Sequence, residues 1–338
     1  MRKTIAGYSK ICNFAKKTSF MEKKDNFEVY SAPIQGLTEL PWRTFHRRVY
    51  GDGVTAYHTP FLRVERGEVR LRDLKALESE MNEGVPLIPQ IIFRDLREFE
   101  MLVDSVVKAG YHTIDINMGC PFPPQVHHGR GAGMMANREL LSALPEVMGS
   151  RYPEVKFTLK MRLGVERPDE WREAIDLINA LPLERVTVHP RTARQQYGGE
   201  LHLEEFGALL EASAHPVVYN GDIVTPADID AMIERFPGVA SVMIGRGLFS
   251  RPSIVAEWRA GSGRDEAERA RDMLELHGLL YDYYTDRVSG DGQLMGKLKP
   301  FWDYLEGVDR RTLKMMKKAV TLRKYDEAVA AIERDLLG

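Results

Sequence analysis

From Glu28 onward, short apolar, β-rich segments alternate with stretches whose apolar residues recur at helical spacing. The β-rich segments are 28–32, 54–58, 87–92, 113–117, 156–161, 185–189, 216–219 and 241–244. Amphipathic helices are predicted between them, among others at 97–109, 138–149, 169–180 and 227–236. Near-continuous apolar strands are buried on both faces, as in a parallel sheet covered by helices. Eight such units predict an α/β fold, a (β/α)8 TIM barrel over residues 27–260. The rival is an open doubly wound sheet. It normally carries G-x-G-x-x-G after its first strand, where this chain has Ala32-Pro33-Ile34-Gln35-Gly36.

Past Pro252 the β signal stops. A Gly/Ser break at 262–264 precedes helical patterns at 274–284, 294–305, 312–322 and 326–336, so residues 261–338 are predicted to form a small all-helical domain. Within it, 310–324 holds seven basic residues and no acid. Arg310, Lys314 and Lys318 recur at i, i+4 and i+8, which puts them on one stripe. Such a stripe is either a solvated face or a grip on phosphates. Residues 1–26 read as a basic N-terminal extension: 1–20 carry five Lys/Arg and no acid, without the apolar core of a secretory signal.

Composition narrows the class. With 43% hydrophobic and 28% charged residues, a disordered, collagenous or membrane-embedded chain is excluded. Lys plus Arg total 47 against 49 acids, so any binding of a polyanion must rest on local clustering. Two cysteines, Cys12 and Cys120, exclude a disulfide scaffold and point to the cytoplasm. A monomer with no metal and no membrane contact is expected.

A barrel builds its active site at the C-terminal ends of its strands. Here those ends carry Gln90; Asn117, then Cys120; Lys160 with Arg162; His189 with Arg191; Asn220-Gly221-Asp222; and Gly245-Arg246-Gly247. Any one of these has a bland explanation as a satisfied polar residue. Six on one rim point to a site. The loops after strands seven and eight are where barrels bind phosphate, with glycines admitting backbone N–H groups and Arg246 adding a charge-assisted contact. Lys160, closing an apolar strand, needs a partner in the barrel mouth. A flavin ring provides one, since a cation near N1 and O2 stabilises the reduced ring, and the Gln90 amide suits its other pyrimidine edge.

Taken together, these motifs resemble the dihydrouridine synthase family, FMN-dependent enzymes that reduce uridine in tRNA. The resemblance runs through Ala32-Pro33-Ile34-Gln35-Gly36-Leu37-Thr38, Gln90, Asp115-Ile116-Asn117-Met118-Gly119-Cys120-Pro121 and Gly131-Ala132-Gly133. It continues in Lys160-Met161-Arg162-Leu163-Gly164, His189-Pro190-Arg191-Thr192 with Tyr197, Asn220-Gly221-Asp222 and Met243-Ile244-Gly245-Arg246-Gly247. The tail, with Gly296-Lys297-Leu298-Lys299 and Trp302, is similar to the bacterial C-type branch.

The resemblance implies that hydride passes from reduced FMN to uracil C6, that NADPH is the reductant, and that Cys120 is the general acid at C5. It implies that Asn117 contacts the uracil, while Gln90 and Lys160 hold the flavin ring. His189, Asn220, Gly221, Asp222, Gly245 and Arg246 would line the FMN side chain and phosphate, with the backbone of Ala32, Pro33 and Ile34 against the isoalloxazine. Arg162, Arg191, Lys297, Lys299, Arg310, Lys314 and Lys318 would face the RNA, expected to be tRNA with rRNA also open. A thiol with an ordinary pKa of roughly 8.5 is protonated at neutral pH and suits the acid role. A paired base hides C5 and C6, so it must leave its stack to react. The alternative is a small-molecule FMN oxidoreductase of the dihydroorotate dehydrogenase type, which needs the phosphate loops but no basic tail. A non-enzymatic RNA-binding barrel is the third reading, and Cys120, Lys160 and Arg246 argue against it.

Overall fold

The computed structural model of the chain describes residues 24, 26–305 and 307–338. The extension predicted at 1–26, with Cys12, therefore lies outside the described residues except for Lys24 and Asn26.

Eight parallel strands close into a barrel. They are β1 (Glu28–Ser31), β2 (Ala56–His58), β3 (Leu87–Ile88 and Gln90–Ile92), β4 (Thr113–Met118), β5 (Lys156–Gly164), β6 (Leu183–Thr192), β7 (Val217–Tyr219) and β8 (Ser241–Ile244). β3 is split because Pro89 has no N–H for the ladder. Its first part pairs with β2 and its second with β4, while β8 pairs with β1, so the ring has no gap in its strand order. β5 and β6 run past their predicted ends, which puts Arg162 and Arg191 within strands. An unpredicted hairpin, Leu62–Glu65 with Glu68–Val69, adds to the rim beside Gln90–Ile92.

Alternation along the central strands decides what faces the axis. In β4 and β5, Ile114, Ile116, Met118, Phe157, Leu159, Met161 and Leu163 join the main apolar core. The intervening Asp115, Asn117, Thr158, Lys160 and Arg162 point the other way, into the barrel. These strands are therefore apolar outside and polar inside, rather than apolar throughout.

The outer layer includes α1 (Leu40–Tyr50), α2 (Leu96–Lys108), α3 (Arg138–Arg151), α4 (Leu203–Ala212) and α5 (Pro226–Arg235). Their starts follow capping chemistry: the Asp95 carboxylate accepts from Glu98 N–H, and Thr225 with Asp228 closes a capping box behind Pro226. The helix predicted at 169–180 is instead a 3-10 turn, Glu170–Glu173, and a short helix, Ile175–Asn179. The Glu170 carboxylate takes the N–H groups of Val165, Glu166 and Arg167, which ties the segment to the β5 loop.

The tail forms α6 (Glu266–Thr285), α7 (Asp291–Leu298), a 3-10 turn (Lys299–Trp302), α8 (Arg310–Lys318) and α9 (Leu322–Leu337). The basic run at 310–324 is thus two helices, because Thr321 caps α9 and the chain is extended at Ala319. The helical region is not detached from the barrel. Leu276, Trp302 and Tyr325 share one apolar core with α1 and the sheet, Tyr283 packs edge-on against Phe45 at 6.0 Å, and Lys297 bridges to Glu39 at 2.7 Å.

Candidate active site

A cavity of about 810 Å³ opens at the C-terminal ends of the strands. Its lining includes Ala32, Pro33 and Ile34 after β1, Asn117 and Cys120 from β4 and its loop, Lys160 and Arg162 from β5, His189 from β6, and Asn220, Gly221, Asp222, Gly245 and Arg246 after β7 and β8.

Cys120 is held by a chain of side chains from the barrel interior. The Asn117 Oδ1 accepts from the backbone N–H of Gly119 at 3.1 Å and of Cys120 at 2.8 Å. The Asn117 amide donates to Gln90 Oε1 at 2.8 Å, and Gln90 Nε2 donates to Asp115 at 2.7 Å. Thr158 completes the relay by donating to Asp115 at 2.6 Å. Gly131 closes the loop from above: its φ is +56°, and a Cβ there would sit 2.7 Å from the Cys120 Cβ. Burial pushes the Cys120 thiol above its ordinary pKa, against the Phe122 N–H and the charges of Arg162 and Lys160, which pull it down. The thiol is therefore protonated at neutral pH.

Two of the expected site residues have partners within the protein. Gln90 is buried behind Asn117 and does not line the cavity, so its amide anchors Asn117 before anything else. Asn117 does line the cavity, but its carbonyl oxygen is committed to the Cys120 turn.

The other wall is cationic. Lys160 has no hydrogen-bond or ion-pair partner among the described residues. Burial and the nearby Arg162 charge lower its pKa to about 8, despite Asp115. Arg162 is fixed by the carbonyls of Gly119 (3.0 Å) and Thr192 (2.9 Å). Its pKa falls to about 10 through burial. Burial, reinforced by Arg162, Lys160, Arg191 and Arg246, keeps the His189 imidazole neutral.

Asp222 organises this wall. Its carboxylate binds Arg191 through two contacts (2.9 and 2.5 Å) and Arg246 through one (2.7 Å). Burial would raise the Asp222 pKa, but the Arg191 hydrogen bonds and both arginine charges hold it below the ordinary value. Asp222 thus braces Arg191 and Arg246 while also lining the cavity. Arg191 is buried, also holds the Gly199 carbonyl, and is not part of the cavity wall. Gly247 locks the loops after β7 and β8 together, since a Cβ there would lie 2.0 Å from the Ile223 carbonyl oxygen.

In the helical region the predicted cations separate. Lys297 is tied to Glu39, and Lys299 donates to the carbonyls of Lys317 (3.3 Å) and Ala319 at the end of α8. Both have structural partners, whereas Arg310, Lys314 and Lys318 are exposed. Phe61, Arg63, Phe122, Gln125 and Tyr304 also line the cavity and were not anticipated. Phe122, an apolar residue beside Cys120 in a proline-rich loop, was the one visible sign. Tyr304 had none, because the tail reaches the cavity only by tertiary packing.

The barrel resembles that of a solved old yellow enzyme from Trypanosoma cruzi, with a TM-score of 0.51, 9% identity, and 70% of this chain and 89% of that one covered. A tRNA-dihydrouridine(16) synthase from Aquipseudomonas alcaligenes is 30% identical over 318 residues, covering 90% of this chain and 93% of its own. A tRNA-dihydrouridine synthase B from Pseudomonas putida is 29% identical over 265 residues, covering 75% and 77%. The family profile described as dihydrouridine synthase matches residues 30–335. A match that runs from the first strand into the last helix takes in the helical region as well as the barrel, and the chain belongs to the dihydrouridine synthase family.

Proposed function

We propose that the protein reduces uridine to 5,6-dihydrouridine in tRNA, with FMN as resident cofactor, NADPH as reductant and Cys120 as proton donor. The observation that carries this reading is the Cys120 turn, held by Asn117 in a cavity that Lys160, Arg162 and Arg246 also line.

The residues present fit FMN. Lys160 is an ammonium without a partner among the described residues, its pKa drawn down to about 8, and an anionic ring edge offers it the missing charge. Arg246, with Gly221 and Gly245 beside it, suits the phosphate. Ala32, Pro33 and Ile34 offer an apolar lining for a ring, and neutral His189 can donate or accept one hydrogen bond. When bound, FMN supplies the hydride chemistry that no side chain of this cavity has.

The chain's own residues do the rest. Cys120 Sγ holds the proton destined for uracil C5, and Asn117 fixes where that thiol stands. Arg162, braced by two carbonyls, keeps a positive charge beside the thiol and stabilises the thiolate left after transfer. Exposed Arg310, Lys314 and Lys318 on α8 offer phosphate contacts, which favours RNA over a small substrate.

The test is Cys120→Ala. The variant is expected to keep its yellow cofactor and to oxidise NADPH while forming no dihydrouridine in tRNA. Full product formation by the variant would remove Cys120 from the mechanism. Mapping dihydrouridine in tRNA and rRNA from a deletion strain identifies the substrate; no lost site in either RNA would refute the uridine reading.

A further inference from the structure

Among the described residues seven large apolar side chains are exposed: Leu71, Phe122, Tyr197, Tyr304, Met315, Val320 and Leu337. Three of them, Phe122 (58% exposed), Tyr197 (47%) and Tyr304 (36%), line the same cavity. They come from three unrelated places: the loop after Cys120, the loop after β6, and the helical region. Exposed rings are not held at one mouth by any folding requirement, since burying them would stabilise the protein.

One of the three is flanked by cations. The Arg162 and Arg246 guanidiniums stand over the Tyr197 ring at 5.4 and 5.3 Å. Tyr304 is held from below: it packs at 6.3 Å on Phe249, which stacks on Trp42 at 4.4 Å. Its segment is anchored by Trp302, whose indole donates to the Tyr325 hydroxyl at 2.9 Å. The basic helix α8 begins six residues after Tyr304. Three exposed rings at one cavity, with a basic helix following in the chain, match a strand of unpaired nucleotides, which offers a π-face per base and a charge per phosphate. A second protein copy seated across the mouth and α8 would have to take the exposed Arg310, Lys314 and Lys318 out of water, where a nucleic acid brings a phosphate to each.

We propose that Phe122 and Tyr304, with Tyr197, form an aromatic rim that stacks the unpaired bases flanking the nucleotide that enters the cavity. The inference rests on the uridine-reductase reading for the identity of that nucleotide. Physically, the rim recovers on protein rings the stacking that extrusion of the base removes.

The experiment uses the full chain, Phe122→Ala, Tyr304→Ala and the double variant, with Phe122→Trp and Tyr304→Phe as ring-preserving controls. Affinity for tRNA is read by fluorescence anisotropy, and stacking by quenching of 2-aminopurine placed beside the target position. Each alanine is expected to weaken binding by about tenfold and to relieve the quench, while the controls keep both. Unchanged affinity and quenching in the double variant overturn the proposal, as does a wild-type dimer that the variant dissociates while RNA binding is unaltered. The two readings fail separately. Rim-dependent RNA binding by a wild type that makes no dihydrouridine leaves the rim and removes the reductase. Wild-type dihydrouridine formation and affinity in the double variant do the reverse.

Discussion

One carbonyl oxygen, Asn117 Oδ1, receives the backbone N–H of Cys120 at 2.8 Å and so sets where the thiol stands. Asn117 is fixed in turn by Gln90, and Gln90 by Asp115. Asn117→Ala is expected to lower stability by about 1–3 kcal/mol, because it strands the turn's N–H groups. Dihydrouridine formation should fall more steeply than NADPH oxidation. Gln90→Leu should do the same from one step further away. Urea denaturation and single-turnover product formation check both, and a wild-type product rate in Asn117→Ala contradicts the positioning role.

Burial raises the Cys120 pKa, so the acid form persists to higher pH than for an ordinary thiol. The pH profile of dihydrouridine formation should stay flat up to about pH 8.5, the ordinary thiol value, and fall only beyond it. A fall centred near neutrality, absent from NADPH oxidation, would count against a protonated thiol as donor.

Lys160 has the opposite sign. Its folded pKa is about 8, below the unfolded value of about 10.4. Between these values the unfolded chain binds more protons, so this group makes stability rise with pH, and its penalty is complete below the folded value. Lys160→Met should therefore raise the melting temperature of cofactor-free protein at neutral pH by about 2–4 °C. The gain should vanish above about pH 10.4. The same variant should retain cofactor poorly. Calorimetry of apoprotein across pH tests the sign, and a destabilised variant at neutral pH refutes it.

Asp222 holds Arg191 and Arg246 together from a half-exposed position. Its pKa is depressed, so its contribution is present above the unfolded carboxylate value and is lost as pH falls through the folded one. Asp222→Asn should lower the melting temperature by about 2–4 °C, with the difference shrinking in acid and in high salt. Cofactor dissociation should quicken because Arg246 loses its brace. Thermal scans at low and high salt, with cofactor release followed by fluorescence, give both readouts.

Gly247→Ala should be severe for so small a change. The new Cβ would meet the Ile223 carbonyl at 2.0 Å, and that atom belongs to backbone. A cost of about 1–3 kcal/mol is expected, with weakened cofactor retention, since the loops after β7 and β8 must part. Chemical denaturation of this variant, beside Gly149→Ala as an open-space control, measures it.

Much of this site was legible before any fold was known. Strand-end polarity brought Cys120, Lys160, His189, Asn220 and Arg246 to one rim, and the cavity gathers all five. What was not legible was division of labour. Nothing along the chain shows that Gln90 braces Asn117 or that Asp222 braces two arginines. Lys297 and Lys299, expected to face the RNA, also have partners 258 and 20 residues away in the chain.

The sequence by itself determined the barrel and the polar groups that end its strands. The strand Lys156–Gly164, counted among the near-continuous apolar runs, proves to alternate, because strand geometry sends Phe157, Leu159, Met161 and Leu163 to the core and Thr158, Lys160 and Arg162 to the opposite side. Tertiary structure alone decided which polar group meets which. Asp115 reaches Gln90 and Thr158 because closure sets three strands in register, and Tyr304 reaches the mouth because α6 packs on α1. The reason is physical. Side-chain direction follows from local backbone geometry, whereas a hydrogen bond depends on tenths of an ångström between residues that only the assembled core brings together.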